Sequence, residues 1–104
     1  MYAEFSYDIV PGTAANADVL TEILKKFATK PNGTPRLLCD LLSDTFICEV
    51  TNVSDFNSLH QRLSMLRAAL GEQFSYAFSL RSSGDVIRIR GTHNEALARQ
   101  IVNA

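Results

Sequence analysis

The alternation of apolar and polar side chains over residues 2–10 constrains the fold more than any other feature of the chain. The apolar positions are Ala3, Phe5, Tyr7 and Ile9. This period of two predicts a β-strand with one buried face, and it places Asp8 on the opposite, open face near the end of the strand. The Pro11-Gly12 pair then ends the strand.

Two later segments repeat apolar residues at intervals of three and four, which predicts helices that each bury one face. We expect the first helix to begin at Asn16 or Asp18 and the second at Ser54 or Asp55, because these residue types cap helices. Gly71 should end the second helix. The apolar stripes are Val19, Leu20, Ile23, Leu24 and Phe27 in the first helix, and Phe56, Leu59, Leu63, Leu66 and Leu70 in the second.

A hairpin is predicted between the helices, with strands over residues 36–42 and 45–51 joined at Ser43-Asp44. A single register brings the apolar residues together on its buried face. This register pairs Leu41 with Phe46, Cys39 with Cys48, and Leu37 with Val50. The opposite face would present Leu38, Asp40, Leu42, Ile47 and Glu49. Opposed cysteines can form a disulfide, but reduced and packed thiols are the expected state in a cytoplasmic protein.

The C-terminal third predicts a strand in which Phe74, Tyr76, Phe78 and Leu80 face the core. A short strand is expected over Val86–Arg90, and a helix should follow the capping box formed by Thr92 and Glu95. The order is β-α-β-β-α-β with an extra strand and helix. This order predicts an α+β fold of the ferredoxin-like type, with four antiparallel strands and both main helices on one sheet face.

Composition places the chain among soluble globular proteins. It has 104 residues, 46% of them hydrophobic and 20% charged, with a net charge of −1. We therefore expect one domain over residues 1–104. No apolar run is long enough to span a membrane, and the N-terminal strand lacks the pattern of a signal peptide, so a cytoplasmic location without membrane contact is expected.

The open face of the predicted sheet is the first candidate for chemistry. Glu4, Asp8, Asp40 and Glu49 would share it, and clustered carboxylates can bind Mg²⁺ or Mn²⁺. The alternative is that these are solvated strand residues that discourage aggregation. Exposed apolar residues on the same face, such as Leu42 and Ile47, suggest that a second copy of the chain covers part of it.

The sequence Tyr7-Asp8-Ile9, followed by a loop and the helix Leu20-x-x-Ile23-Leu24-Lys25-Lys26-Phe27, resembles the opening of the small CRISPR-associated ferredoxin-like endoribonucleases. The order of the remaining elements is similar to that of VapD-like and GhoS-like relatives. The resemblance implies a homodimer in which the Asp8 carboxylates of two copies hold a divalent metal for phosphodiester cleavage. Residues 11–16 contain none of the basic residues that the CRISPR-associated members tend to have there.

Basic residues concentrate in the last part of the chain. Arg81, Arg88 and Arg90 could contact a nucleic-acid backbone, RNA more than DNA, or pair with the acidic face of a second copy. His60 is expected to be a surface residue and His93 lies inside the predicted capping box, and neither is expected to have a ligand role. Two hypotheses therefore stand at this point: a metal-dependent endoribonuclease-like homodimer, and a non-catalytic homodimeric interaction module on the same fold.

Overall fold

The computed structural model describes residues 1–10, 16–82 and 90–103. In chain order the elements are β1 (Tyr2–Ile9), α1 (Asn16–Phe27), β2 (Leu38–Leu42), β3 (Thr45–Glu49), α2 (Val53–Leu70), β4 (Phe74–Arg81) and α3 (Glu95–Val102). The short strand predicted from residue 86 to residue 90 falls almost wholly outside the described residues. No helix in the described segments is both long and apolar enough to cross a membrane.

The four strands form one antiparallel sheet in the order β2-β3-β1-β4. The alternating segment that opens the chain is therefore central, paired with β3 on one side and with β4 on the other. Along β4 the pairing runs from Tyr2 opposite Arg81 to Ile9 opposite Phe74. The expected α+β class, with an antiparallel sheet and two packed helices, is confirmed.

The main core lies between one face of the sheet and helices α1 and α2. Its buried residues are Ala3, Phe5, Val19, Ile23, Phe27, Cys48, Val50, Leu59, Leu63 and Phe74. Tyr76, Phe78 and Leu80 pack against this core from β4. The faces predicted for β1, β4 and both helices from their periodicity are confirmed.

Helix α3 builds a second core on the other face of the sheet. Its buried residues are Tyr2, Cys39, Leu41, Ile47, Ala98, Ile101 and Val102. Sequence reasoning left this face open for another subunit, yet Ile47 is only 1% exposed beneath the chain's own helix. The α3 helix packs on β2 and β3, so it covers their side of the sheet.

The register predicted for the hairpin is wrong beyond its turn. Leu42 lies opposite Thr45, as a two-residue turn requires, but Cys39 lies opposite Ile47 and Leu38 opposite Cys48. A bulge between Asp40 and Leu42 causes this shift, because it inserts one residue into β2 without a counterpart in β3. A one-residue shift exchanges the two faces of a strand.

The shift separates the two cysteines. Cys39 belongs to the core under α3, whereas Cys48 belongs to the core under α1 and α2. Both are buried free thiols, which is consistent with the reduced state expected from the sequence. The predicted pairing of Cys39 with Cys48 across the hairpin is wrong.

Two helix starts differ from the sequence-based positions. Helix α2 is capped by Asn52, whose side chain accepts a hydrogen bond from the Asp55 backbone N–H. Helix α3 follows Asn94 rather than a capping box at Thr92, and Asn94 makes no side-chain cap bond. The end of α2 at Gly71 is confirmed, with the positive φ of 64° that glycine adopts readily.

Candidate functional site

Asp8 lies near the end of β1, opposite Ser75 of β4, and its side chain is exposed. The sheet surface around it is built from small side chains, because Ser6 lies opposite Ala77 in the next pair of the same face. These residues line a shallow depression of about 240 Å³. A partner surface could therefore approach the β1–β4 backbone closely at this position.

A second carboxylate, that of Asp44, lines a cleft together with Asp8. The cleft has a volume of about 440 Å³ and lies among the end of β1, helix α1 and the β2–β3 turn. The Tyr7 backbone N–H donates to the Asp44 carbonyl at 3.0 Å, which fixes the turn beside the strand end. Burial, and then the nearby charge of Asp44, raises the pKa of the Tyr7 hydroxyl. Sequence reasoning missed Asp44 as a site residue, because only the pairing of β3 with β1 brings that turn to Asp8.

The other acids expected beside Asp8 have different neighbours. Glu49 forms an ion pair with Lys30 at 3.2 Å and accepts a hydrogen bond from the Leu37 N–H. Asp40 contacts His93 Nδ1 at 3.4 Å and the side-chain amide of Asn94. Over residues 1–10, 16–82 and 90–103, no group of three or more acidic, histidine or cysteine side chains is placed to hold a metal ion. Within the described residues, one chain thus offers two carboxylates to the cleft at the end of β1, those of Asp8 and Asp44.

Arg81 does not lie beside Asp8 within one chain. Arg81 lies opposite Tyr2 at the far end of the β1–β4 pair, whereas Asp8 lies opposite Ser75. Six residues of antiparallel strand separate the two positions, a distance of about 20 Å. Arg90 is exposed. Arg88 lies outside the described residues.

His60 is exposed, as expected, and His93 is exposed as well. Each has a neighbour that sequence spacing did not suggest. His60 Nε2 is 3.3 Å from the Tyr76 hydroxyl, which is itself 3.0 Å from the Ser64 hydroxyl. His93 contacts Asp40 across the junction between β2 and α3. Each histidine therefore takes part in contacts between elements.

The structure also contains a buried ion pair that sequence reasoning did not find. Arg36 and Asp55 are 6% and 5% exposed, and two hydrogen bonds of 2.7 and 2.8 Å join them. Asp55 also accepts from the Thr51 N–H at 2.9 Å, and Arg36 donates to the Glu49 carbonyl at 2.6 Å. Their mutual hydrogen bonds raise the pKa of Arg36 and lower the pKa of Asp55. The only sequence signal was Asp55 near a helix start, which we interpreted as a cap.

Comparison with known proteins found no matching family model, no matching curated protein and no matching solved structure.

Proposed function

We propose that the protein is a divalent-metal-dependent endoribonuclease that acts as a homodimer. The observation that supports this most is the placement of Asp8 and Asp44 on one solvent-open cleft at the end of β1. Carboxylate oxygens are the ligands that Mg²⁺ and Mn²⁺ prefer, and Mg²⁺ commonly uses only one or two of them together with water and phosphate oxygens. The donor set of the cleft therefore suits such an ion.

The arrangement of elements also supports the proposal. The strand order β2-β3-β1-β4, with α1 and α2 on one face, is the arrangement expected for a ferredoxin-like domain. The residues that resemble the opening of the CRISPR-associated endoribonucleases include Tyr7-Asp8-Ile9, which form the end of β1 beside this cleft. Asp8 is exposed there, as a residue that touches substrate must be.

A second copy of the chain would complete this site. Small side chains beside Asp8, among them Ser6, Ser75 and Ala77, allow another sheet to approach the β1–β4 half of the open face. Helix α3 covers the β2–β3 half, so this remaining half is where we place the dimer contact. Two copies would bring their Asp8 carboxylates toward one axis, with each Asp44 on the cleft beside its own Asp8.

In this scheme the chain's own residues bind and orient the scissile phosphate. A bound divalent ion would supply charge neutralisation at the phosphate and an activated water. Asp8 would hold the ion directly, and Asp44 would add negative charge from the β2–β3 turn. Because Arg81 is about 20 Å from Asp8 along the sheet, we assign Arg81, Arg88 and Arg90 to contacts with more distant parts of the RNA backbone.

The test is cleavage of labelled RNA and DNA with Mg²⁺, with Mn²⁺ and with EDTA. We expect metal-dependent cleavage of RNA that Asp8→Asn abolishes and Asp44→Asn weakens. Glu22→Gln is the matched control, since Glu22 is an exposed acid on α1 that lies outside the cleft lining. The absence of cleavage by the wild type, or equal cleavage by Asp8→Asn, would refute the proposal.

The dimer is tested separately by sedimentation equilibrium. Ala77→Arg places a long charged side chain on the proposed contact and should give a monomer, whereas Gln61→Arg on the exposed face of α2 should not. If the wild type sediments as a monomer, the homodimer is excluded.

One observation favours the alternative, a non-catalytic homodimeric interaction module. Asp40 and Glu49, two of the four acids expected on the open face, make contacts between structural elements instead. Under this alternative the wild type dimerises and Ala77→Arg disrupts the dimer, while no nucleic acid is cleaved.

A further inference from the structure

We propose that the cleft between the α1–β2 connection and helix α2 binds a terminal phosphate group, that is, the dianion of a phosphomonoester. This basic cleft is lined by Thr29, Lys30, Arg36, Ser58 and Arg62, among others, and has a volume of about 370 Å³. The proposal is independent of the one made for Asp8, because the two clefts share no lining residue.

The charges around the basic cleft favour an anion. Lys30, Arg36 and Arg62 line it, and Asp55 is the single acid among its lining residues. Both oxygens of Asp55 already accept hydrogen bonds, from the Arg36 guanidinium and from the Thr51 N–H. The Asp55 charge is therefore largely compensated before a ligand arrives, and Lys30 and Arg62 leave the cleft positive.

Arg62 supplies the most available of these charges. Its side chain is exposed, and within the part of the chain that the structure describes it takes part in none of the ion pairs. Lys30 is held beside the cleft by Glu49 at 3.2 Å, which positions its ammonium group but also shares its charge. An incoming dianion would gain from both cations, more than a monoanion would.

Arg36 is the buried cation of the cleft wall, and one of its donors is unpaired in the described segments. Its side chain is more than nine-tenths buried and lines the cleft, yet its Nε–H has no hydrogen-bond acceptor in the described segments. Buried donors in proteins nearly always have an acceptor, and an unmade bond of this kind costs about 1–3 kcal/mol. A phosphate oxygen can reach this donor only if Arg36 shifts, because its Nε atom lies beneath the surface of the cleft wall.

A second cleft adjoins the basic one and adds further donors. It shares Pro31, Asp55 and Ser58 with the basic cleft and is also lined by Thr51, Asn52 and Ser54, where α2 begins. The first turn of a helix presents N–H groups without intrahelical acceptors and the positive end of the helix dipole. In α2 the Asp55 N–H is already bound by the Asn52 side chain and the Thr51 N–H by Asp55, so these two donors do not serve a ligand. Hydroxyls and N–H groups on one side and cations on the other suit the tetrahedral oxygens of a phosphate.

The first experiment titrates inorganic phosphate into the full-length protein without divalent metal and follows the ¹H–¹⁵N spectrum, including the Arg36 Nε–H signal. We expect saturable shifts at Ser54, Ser58 and the Arg36 Nε–H, with a dissociation constant of about 1 mM or below. Dimethyl phosphate, a monoanionic diester, should bind at least about tenfold more weakly. Shifts that do not saturate, or equal binding of the diester, would overturn the proposal.

A pair of variants separates the site from general electrostatics. Arg62→Gln and Arg67→Gln remove the same charge from the same helix, but only Arg62 lines the basic cleft. We expect Arg62→Gln to weaken phosphate binding about fivefold or more and Arg67→Gln to change it less than twofold. Equal losses in the two variants would show that the effect is one of net charge and would contradict the site.

The same phosphate group can belong to a small molecule or to the end of a nucleic-acid chain. Glycerol 3-phosphate represents the first source, and a short RNA with a 5′-phosphate, compared with the same RNA bearing a 5′-hydroxyl, represents the second. Binding that requires the terminal phosphate and is weakened by Arg62→Gln supports the proposal and identifies the source. Equal binding of both RNAs together with no binding of glycerol 3-phosphate would refute it.

Discussion

The guanidinium of Arg36 and the carboxylate of Asp55 form a two-point ion pair between the segment before β2 and the first turn of α2. Both side chains are buried, and their remaining hydrogen bonds go to the backbone of Glu49 and Thr51. The pair therefore fixes how α2 enters the fold after β3.

We expect the removal of one member of this pair to be far more damaging than the replacement of both. Asp55→Ala leaves a buried, unpaired guanidinium and should lower the free energy of unfolding by about 3–5 kcal/mol. The double variant Arg36→Met, Asp55→Leu removes both charges and should recover much of that loss. Urea unfolding of the single and double variants measures the difference, and a double variant less stable than Asp55→Ala would contradict this account.

The same pair predicts a loss of stability in acid. Because the pKa of Asp55 is lowered from its ordinary value of 3.8, the unfolded chain binds a proton more readily than the folded chain. The contribution of Asp55 is thus complete above pH 3.8 and is lost as pH falls through the lowered pKa. Urea unfolding over about pH 2–6 should show this dependence.

Two variants assign that acid dependence to its source. Asp55→Asn should flatten the curve at low pH. The hydrogen bond from Arg99 also lowers the pKa of the Glu95 carboxyl, so Glu95→Gln measures the contribution of this half-exposed pair. If Glu95→Gln flattens the curve as much as Asp55→Asn does, the assignment to Asp55 is wrong.

Neither cysteine should react in the native protein at neutral pH. Burial raises the pKa of Cys39 to about 11 and that of Cys48 to about 12, so the reactive thiolate form is scarce. We expect a thiol-specific chromogenic reagent to modify Cys48 only at the rate of global unfolding, and Cys39 only when the core under α3 opens. Because the two side chains belong to cores on opposite faces of the sheet, mild oxidation of the native protein should give no intramolecular disulfide. A native thiol that reacts quickly would contradict the burial of the two cysteines. An intramolecular disulfide would contradict the hairpin register.

The packing of α3 can be tested at Ile101, which is 0% exposed in the second core. Ile101→Ala should lower the free energy of unfolding by about 2–5 kcal/mol, the usual range for a truncated core aliphatic side chain. Gln100→Ala, at the exposed neighbouring position, should change it by less than about 0.5 kcal/mol. Thermal and urea unfolding of both variants provide the comparison. Equal stabilities would mean that α3 contributes little to the fold.

Much of the architecture could be predicted because periodicity reports burial directly. The alternation from Ala3 to Ile9 and the stripe from Phe56 to Leu70 predicted the correct faces. The predicted register of the hairpin is wrong because of one residue, since nothing in the local sequence around Leu41 indicates that it is the extra residue of a bulge. The second core was missed because α3 approaches the sheet from a distant part of the chain.

The candidate sites also show that local patterns do not predict contacts between distant segments. Asp8 was found because its position on a strand end can be read from alternation. Asp44 and the Arg36–Asp55 pair were not found, because each depends on contacts between segments distant in sequence. Helix capping offered an incorrect but reasonable explanation for Asp55, whereas Asn52 performs that role.

The neighbouring residues Ile47 and Cys48 of β3 belong to different cores, one closed by α3 and the other by α1 and α2. Helix α3 is short, and its core is the smaller of the two, so the free energy needed to open it locally should lie below that of global unfolding. The chain can then expose the second face of its sheet in a rare state while the first core remains closed. Amide hydrogen exchange would register this state as faster exchange in α3 than in the central strand β1.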